Sequence, residues 1–160
     1  TDTALDTAGL TKALGTFWYA QTDPDGKPLG AEPKYLLVPP GQYIPALTLN
    51  QSTAMNPSGQ TSSTALIGNL NPFAGKFEVV KSTYLANSSY TGYSALAWYL
   101  LCDPNDISVI EVCFLGGREM PIVETADADF DQLGIKIRAY HDFGVTKQEY
   151  RGGMKFKGEA

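Results

Sequence analysis

Three side chains could cooperate in covalent chemistry: His141, the chain's only histidine, and its two cysteines, Cys102 and Cys113. A thiol beside an imidazole forms an activated nucleophile, the working pair of a small cysteine hydrolase. The local sequence argues against that use. Cys102 shares a strand face with Trp98 and Leu100, and Cys113 is flanked by Val112 and Phe114. Thiols in apolar surroundings have raised pKa values and are unreactive. His141 falls on the apolar side of the alternating run IKIRAYHDFG, in step with Ile135, Ile137, Ala139 and Phe143. A packed imidazole is therefore expected there, because reach and geometry define a general base. No G-x-S-x-G turn supplies a serine for it. With one histidine and no C-x-x-C or H-E-x-x-H, no zinc site is spelled out. The sequence thus assigns no catalytic residue, no cofactor and no metal ligand.

The charged motifs are equally weak as chemistry. DADFD, Asp127 to Asp131, imitates the start of a calcium loop, but Gln132 stands where glycine is needed and Arg138 where glutamate is needed. An acidic turn is expected instead. Gly116-Gly117-Arg118 is too short for a phosphate loop, and no carboxylate pair is singled out for glycoside chemistry. Lys147, Arg151, Lys155 and Lys157 make the tail basic, and Lys155 and Lys157 alternate with Met154 and Phe156. That is the pattern of a charged edge strand, with contact to a phosphate backbone or an acidic neighbour as the alternative. Tyr84, Tyr90 and Tyr93, in a Gly/Ser-rich patch, could anchor a carbohydrate or protein partner.

The elements that would position these residues follow from periodicity and punctuation. Asp6 is a helix cap, with Leu10, Leu14, Phe17 and Trp18 forming the apolar stripe and Gly9 and Gly15 weakening it. TDPDGKPLG, Thr22 to Gly30, is turn-forming. KYLLVPP gives a strand at Tyr35–Val38 stopped by two prolines, then a short helix over about Tyr43–Asn50 that tolerates Pro45 in its first turn. Gln51 to Gly68 has no period and reads as a long polar loop. A turn at Asn71–Gly75 precedes a strand at Phe77–Lys81. WYLLCDPNDISVIEVCFLGG gives two β-runs joined by an Asp-Pro turn. Ile135–Gly144 is a half-buried strand, and VTKQEYRGGMKFKG continues extended, bending at Gly152-Gly153.

The bulk properties narrow the class. At 160 residues the chain can bury one core, and 16 glycines with 10 prolines favour short strands and turns over a helical bundle. A net charge of −5 disfavours a dedicated nucleic-acid binder, which needs clustered cations. No apolar run reaches the roughly 18–20 residues of a membrane span, and TDTALDTAGL lacks the features of a signal peptide. Two cysteines make no disulfide framework, so free thiols in a cytosolic setting are expected, and the NQS and NSS sequons at Asn50 and Asn87 are read as chance.

In order, the chain carries KYLLVPP, NPFAGKFEVV, WYLLCDPNDISVIEVCFLGGREMPIVE and IKIRAYHDFGVTKQEYRGG. That succession resembles the C-terminal part of tailed-phage major capsid proteins with the HK97-like fold, closest to Mu-like head subunits and to the capsid half of prohead protease–capsid fusions. The resemblance implies an α+β chain: residues 1–34 as the end of a spine helix and its connecting turn, 35–123 as the capsomer-forming A-domain with a mixed sheet and flanking helices, and 124–160 as strands returning to the P-domain. It implies a structural, non-enzymatic head subunit of a phage or prophage. Such a subunit is made in the bacterial cytoplasm and assembles with itself into pentameric and hexameric capsomers and a virion shell. The shell encloses double-stranded DNA without sequence specificity and without a membrane, and the resemblance leaves room for scaffold or prohead protease as partners. Asn56, Ser58, Gln60 and Ser63 become candidate inter-subunit loop residues, and Lys147, Arg151, Lys155 and Lys157 candidate basic contacts. The N-terminal arm, the E-loop and most of the spine helix have no counterpart here. The expectation is therefore a part of a subunit, monomeric or weakly associating by itself. An encapsulin-like compartment shell shares the fold, and a Cys/His hydrolase is the rival from another class.

Overall fold

A computed structural model describes residues 3–53, 70–127 and 133–159. The chain separates into two units, residues 1–109 with 149–160, and residues 110–148.

In the first unit, helix α1 (Thr7–Ala20) starts where the Asp6 carboxylate accepts a hydrogen bond from the Gly9 N–H at 2.7 Å. This is the expected cap, satisfying a donor that the first helical turn leaves without a partner. Gly9, Leu10, Ala13, Leu14 and Phe17 are buried along one stripe. Gly9 is required by close approach, since a Cβ there would meet the Ala4 carbonyl oxygen at 2.0 Å. Trp18 departs from the expected stripe: it is 43% exposed, one residue round from Phe17, with the Lys76 ammonium 5.3 Å from its ring centre.

Strand β1 (Pro33–Val38) runs into Pro39, whose missing N–H ends the ladder, and a 3-10 turn at Pro40–Gln42 leads into α2 (Tyr43–Gln51). Pro45 lies in the first turn of α2, where no intrahelical donor is lost. Strand β2 (Glu78–Lys81) then pairs parallel to β1, Tyr35 opposite Glu78 through Val38 opposite Lys81. Parallel neighbours need a crossover of this kind. Two buried asparagines fix the return. Asn50 donates to the Phe77 carbonyl at 2.8 Å and accepts from the Phe77 N–H at 3.1 Å. Asn71 donates to the Leu49 and Ser52 carbonyls at 2.6 and 2.7 Å. Asn50, half of an NQS sequon, is thus buried and fully engaged.

Strand β3 (Trp98–Cys102) pairs antiparallel with β1, and β8 (Gly153–Phe156) antiparallel with β3, completing a mixed sheet of order β2-β1-β3-β8. Alternation along these strands turns Leu36, Val38, Trp98, Leu100, Cys102 and Phe156 into one core with the α1 stripe. Each large side chain removed from water there contributes about 1.5–3 kcal/mol. Trp98 stacks on Phe156 at 4.5 Å and donates its indole N–H to the Thr3 carbonyl at 2.9 Å. The Thr3 N–H donates to the Glu159 carbonyl at 2.8 Å, so the two ends of the described chain meet beside the core. After β3 the chain turns at Asp103, which accepts from the Asn105 N–H and from the Lys34 ammonium. The Lys34 contact holds the Asp103 carboxyl below its usual range and raises the Lys34 ammonium.

The second unit contains β4 (Ile110–Phe114), β5 (Ile122–Asp127), β6 (Ile135–Tyr140) and β7 (Phe143–Lys147). They form two separate two-stranded antiparallel ribbons, β4–β7 and β5–β6. Two sequence expectations change here. The β-runs on either side of the Asp-Pro turn do not pair with each other: β3 joins the four-stranded sheet and β4 pairs with β7. The run Ile135–Gly144 is not one half-buried strand; it breaks at His141-Asp142 into β6 and β7, and every residue of both strands is exposed. The extended tail likewise divides, β7 pairing with β4 and β8 with β3.

Candidate functional site

The ladder registers define the two faces of each ribbon, because directly opposed residues in an antiparallel pair share a face. On β4–β7, Val112 opposes Val145 and Phe114 opposes Phe143, with Lys147 opposite Ile110 at the end of the same face. The reverse face carries Glu111 opposite Thr146 and Cys113 opposite Gly144. On β5–β6, Val123 opposes Ala139, Thr125 opposes Ile137, and Asp127 opposes Ile135. Its reverse face carries Ile122 opposite Tyr140, Glu124 opposite Arg138, joined by an ion pair, and Ala126 opposite Lys136. On each ribbon one face is the more apolar, and it is open: Val145, Phe143, Val123, Ile135 and Ile137 are all about 60–70% exposed. Exposed contiguous apolar surface of this kind marks an interaction site.

The two thiols and the imidazole fall in different settings, Cys102 in the first unit and Cys113 and His141 in the second. Cys102 lies on the core face of β3, and burial pushes its thiol up, with the Asp106 and Glu32 charges adding to the effect. Cys113 corrects an expectation: it is exposed, because neighbours along a strand point to opposite faces and Val112 and Phe114 do not cover it. His141 lies outside the strand that was expected to hold it, in the break between β6 and β7. Its ring is packed as expected, stacked on Phe114 at 5.6 Å and tilted against Phe143 at 5.2 Å. Its Nε2 is shielded from solvent without a hydrogen-bond partner, so no thiol is joined to that nitrogen. His141 opens on a cavity of about 320 Å³ with Arg118, Tyr140 and Asp142, whereas Cys113 lines a different depression with Phe143 and Gly144. The geometry offers an aromatic-packed ring and an isolated thiol. Gly116 and Gly117, at φ of 63° and 70°, form the turn that follows β4.

The basic residues of the tail are dispersed among elements. Lys147 ends β7 in the second unit. In the first, Arg151 pairs with Glu149 at 3.4 Å in the turn before β8. Lys155 lies on β8, an outer strand of the four-stranded sheet, 5.7 Å from the Tyr99 ring centre, and Lys157 is exposed just beyond it. Asn56, Ser58, Gln60 and Ser63 lie outside the described residues, as do Asp129 and Asp131 of the acidic turn. Tyr84 and Tyr90 meet edge to face at 5.6 Å, and with Tyr93 they are exposed. Among the described residues no cluster of three or more His, Cys, Asp or Glu side chains could hold a metal. No helix among them is long and apolar enough to cross a membrane.

The open ribbon faces escaped the sequence reading. The alternation of Ile135–Gly144 is visible in the sequence, but alternation alone does not say whether the chain's own core or a partner covers the apolar side. Ribbons whose apolar faces stay exposed among the described residues are suited to docking. Neither a curated protein nor a solved structure matches this chain. The family model described as phage capsid protein matches residues 1–156. With nearly its whole length aligned to that model, the chain belongs to the phage capsid protein family.

Proposed function

We propose that this chain is the shell-forming portion of a tailed-phage or prophage head subunit with the HK97-like fold, of the Mu-like or protease-fusion type. Family membership carries the coarser part: a structural component of the virion capsid. The finer reading is supported by the order of sequence motifs and by a mixed sheet with a β-α-β crossover. The single observation that favours it most is the exposure of the apolar faces of both ribbons, which a subunit surrounded by copies of itself would bury. Under this reading residues 1–34 end the spine helix, 35–123 form the A-domain and 124–160 return to the P-domain. The function is self-association into capsomers, without turnover, around double-stranded DNA held without sequence specificity. Asn56, Ser58, Gln60 and Ser63 would face neighbouring subunits. Lys147, Arg151, Lys155 and Lys157 would meet acidic neighbours or phosphate. Scaffold and prohead protease would act during assembly in the bacterial cytoplasm.

The test is to express the gene that encodes this chain, with its neighbours, in a bacterial host and to fractionate the lysate on a density gradient. The chain is expected in closed particles seen by electron microscopy, together with nuclease-protected DNA. Recovery only in the soluble fraction would exclude the proposal. Particles filled with protein instead of DNA would replace it with a compartment shell.

A further inference from the structure

We propose that the two ribbons of the second unit are the two halves of one heterologous contact, in which the apolar face of β5–β6 in one copy stacks on the apolar face of β4–β7 in the next. The inference rests on the capsid reading for the identity of the partner, a second copy of this chain, and adds which surfaces meet and in what register.

The physical need comes first. A two-stranded ribbon is marginal by itself in water, and both ribbons here expose the face that should be their core. Cover must come from outside the chain's described residues, and the two faces are complementary in charge. The β4–β7 face ends in Lys147 and the β5–β6 face ends in Asp127, and neither forms an ion pair among the described residues. The faces also match in size. Placing Asp127 over Lys147 sets the middle rungs together, Thr125 and Ile137 against Val112 and Val145. It then sets the small Val123 and Ala139 against the bulky Phe114 and Phe143. Large against small is how facing sheets interdigitate. The opposite orientation would put the aromatic pair over Asp127 and desolvate a carboxylate without a partner.

A contact between two different patches of the same chain is head-to-tail. It leaves one free face at each end of a dimer, so it propagates and closes into a ring where the rotation closes. That is what a capsomer requires and what a self-complementary two-fold patch does not provide. The ring-packed His141, flanked by Phe114 and Phe143, stiffens the aromatic end of the β4–β7 face.

The test uses the 160-residue chain with Cys113→Ser, so that no native exposed thiol remains. Asp127→Cys and Lys147→Cys are prepared separately at the rim of each face and treated at high concentration with a bis-maleimide. Its reach should match the spacing of about 10 Å between stacked sheets. Linked dimers are expected from the mixture at several-fold the yield from either variant alone. Equal yields from a single variant, or none from the mixture, overturn the inference. A second measurement avoids the linker: Lys147→Asp and Asp127→Lys should each weaken self-association several-fold in sedimentation equilibrium, and the two together should restore it. Failure of the double variant to restore association overturns the charge register. The capsid reading is judged apart from this, by DNA-filled particles. Particles without the cross-link sink only this contact, and the cross-link without particles sinks only the capsid reading.

Discussion

Cys102 and Cys113 each sit among apolar sequence neighbours, yet one thiol is buried and the other exposed. Sequence neighbours suggested that both thiols were buried. Cys102 is, because Trp98 and Leu100 lie four and two residues away on its own face. Cys113 is not, because the flanking Val112 and Phe114 belong to the other face of β4. Spacing of two identifies companions, whereas adjacency does not. Alkylation of the native protein is therefore expected to modify one thiol promptly and a second only on unfolding. Mass spectrometry of the labelled peptides should place the prompt label on Cys113. Labelling of Cys102 at a comparable rate would contradict its burial in the sheet core. His141 was legible as a packed ring, but not its position in a strand break, since IKIRAYHDFG alternates without interruption.

Helices, strands and turns with local punctuation were read closely: α1 from its aspartate cap, α2 and β1 from their proline boundaries, β2 from the turn before it. The two glycines of α1 show what remained hidden. By sequence alone both are costs, since glycine in a helix interior is less stable than alanine by roughly 0.5–1 kcal/mol. Gly15 has nothing within 4 Å of where a Cβ would stand, but Gly9 is pressed against the Ala4 carbonyl. Substitution should thus give opposite signs. Gly15→Ala is expected to stabilise by about 0.5–1 kcal/mol in urea denaturation. Gly9→Ala is expected to destabilise, because the helix start or the Ala4 segment must shift and the Asp6 cap, worth about 0.5–2 kcal/mol, is disturbed. Equal shifts for the two would mean that the Ala4 approach is not maintained in solution. The clash could not be read from sequence, because it depends on how the chain enters the helix.

For the whole molecule, the sequence carried the mixed α+β class and the phage capsid resemblance but not the division into two units, because β8 returns to β3 across fifty intervening residues that include both ribbons. The units should differ in stability. Amides of β1 and β3, inside the four-stranded sheet, are expected to exchange slowly, at the free energy of global unfolding. Those of β4 to β7 should exchange orders of magnitude faster in the isolated chain, and hydrogen-exchange mass spectrometry resolves the two sets. Uniform protection across both would show that the ribbons are already covered. The meeting of Thr3 with Glu159 bears on architecture in a different way. Segments extending outward from either terminus would leave the first unit through a single doorway next to Trp98, so an appendage fused at one end would crowd one fused at the other. Joining the termini and opening the chain at a surface turn would leave the sheet's wiring intact.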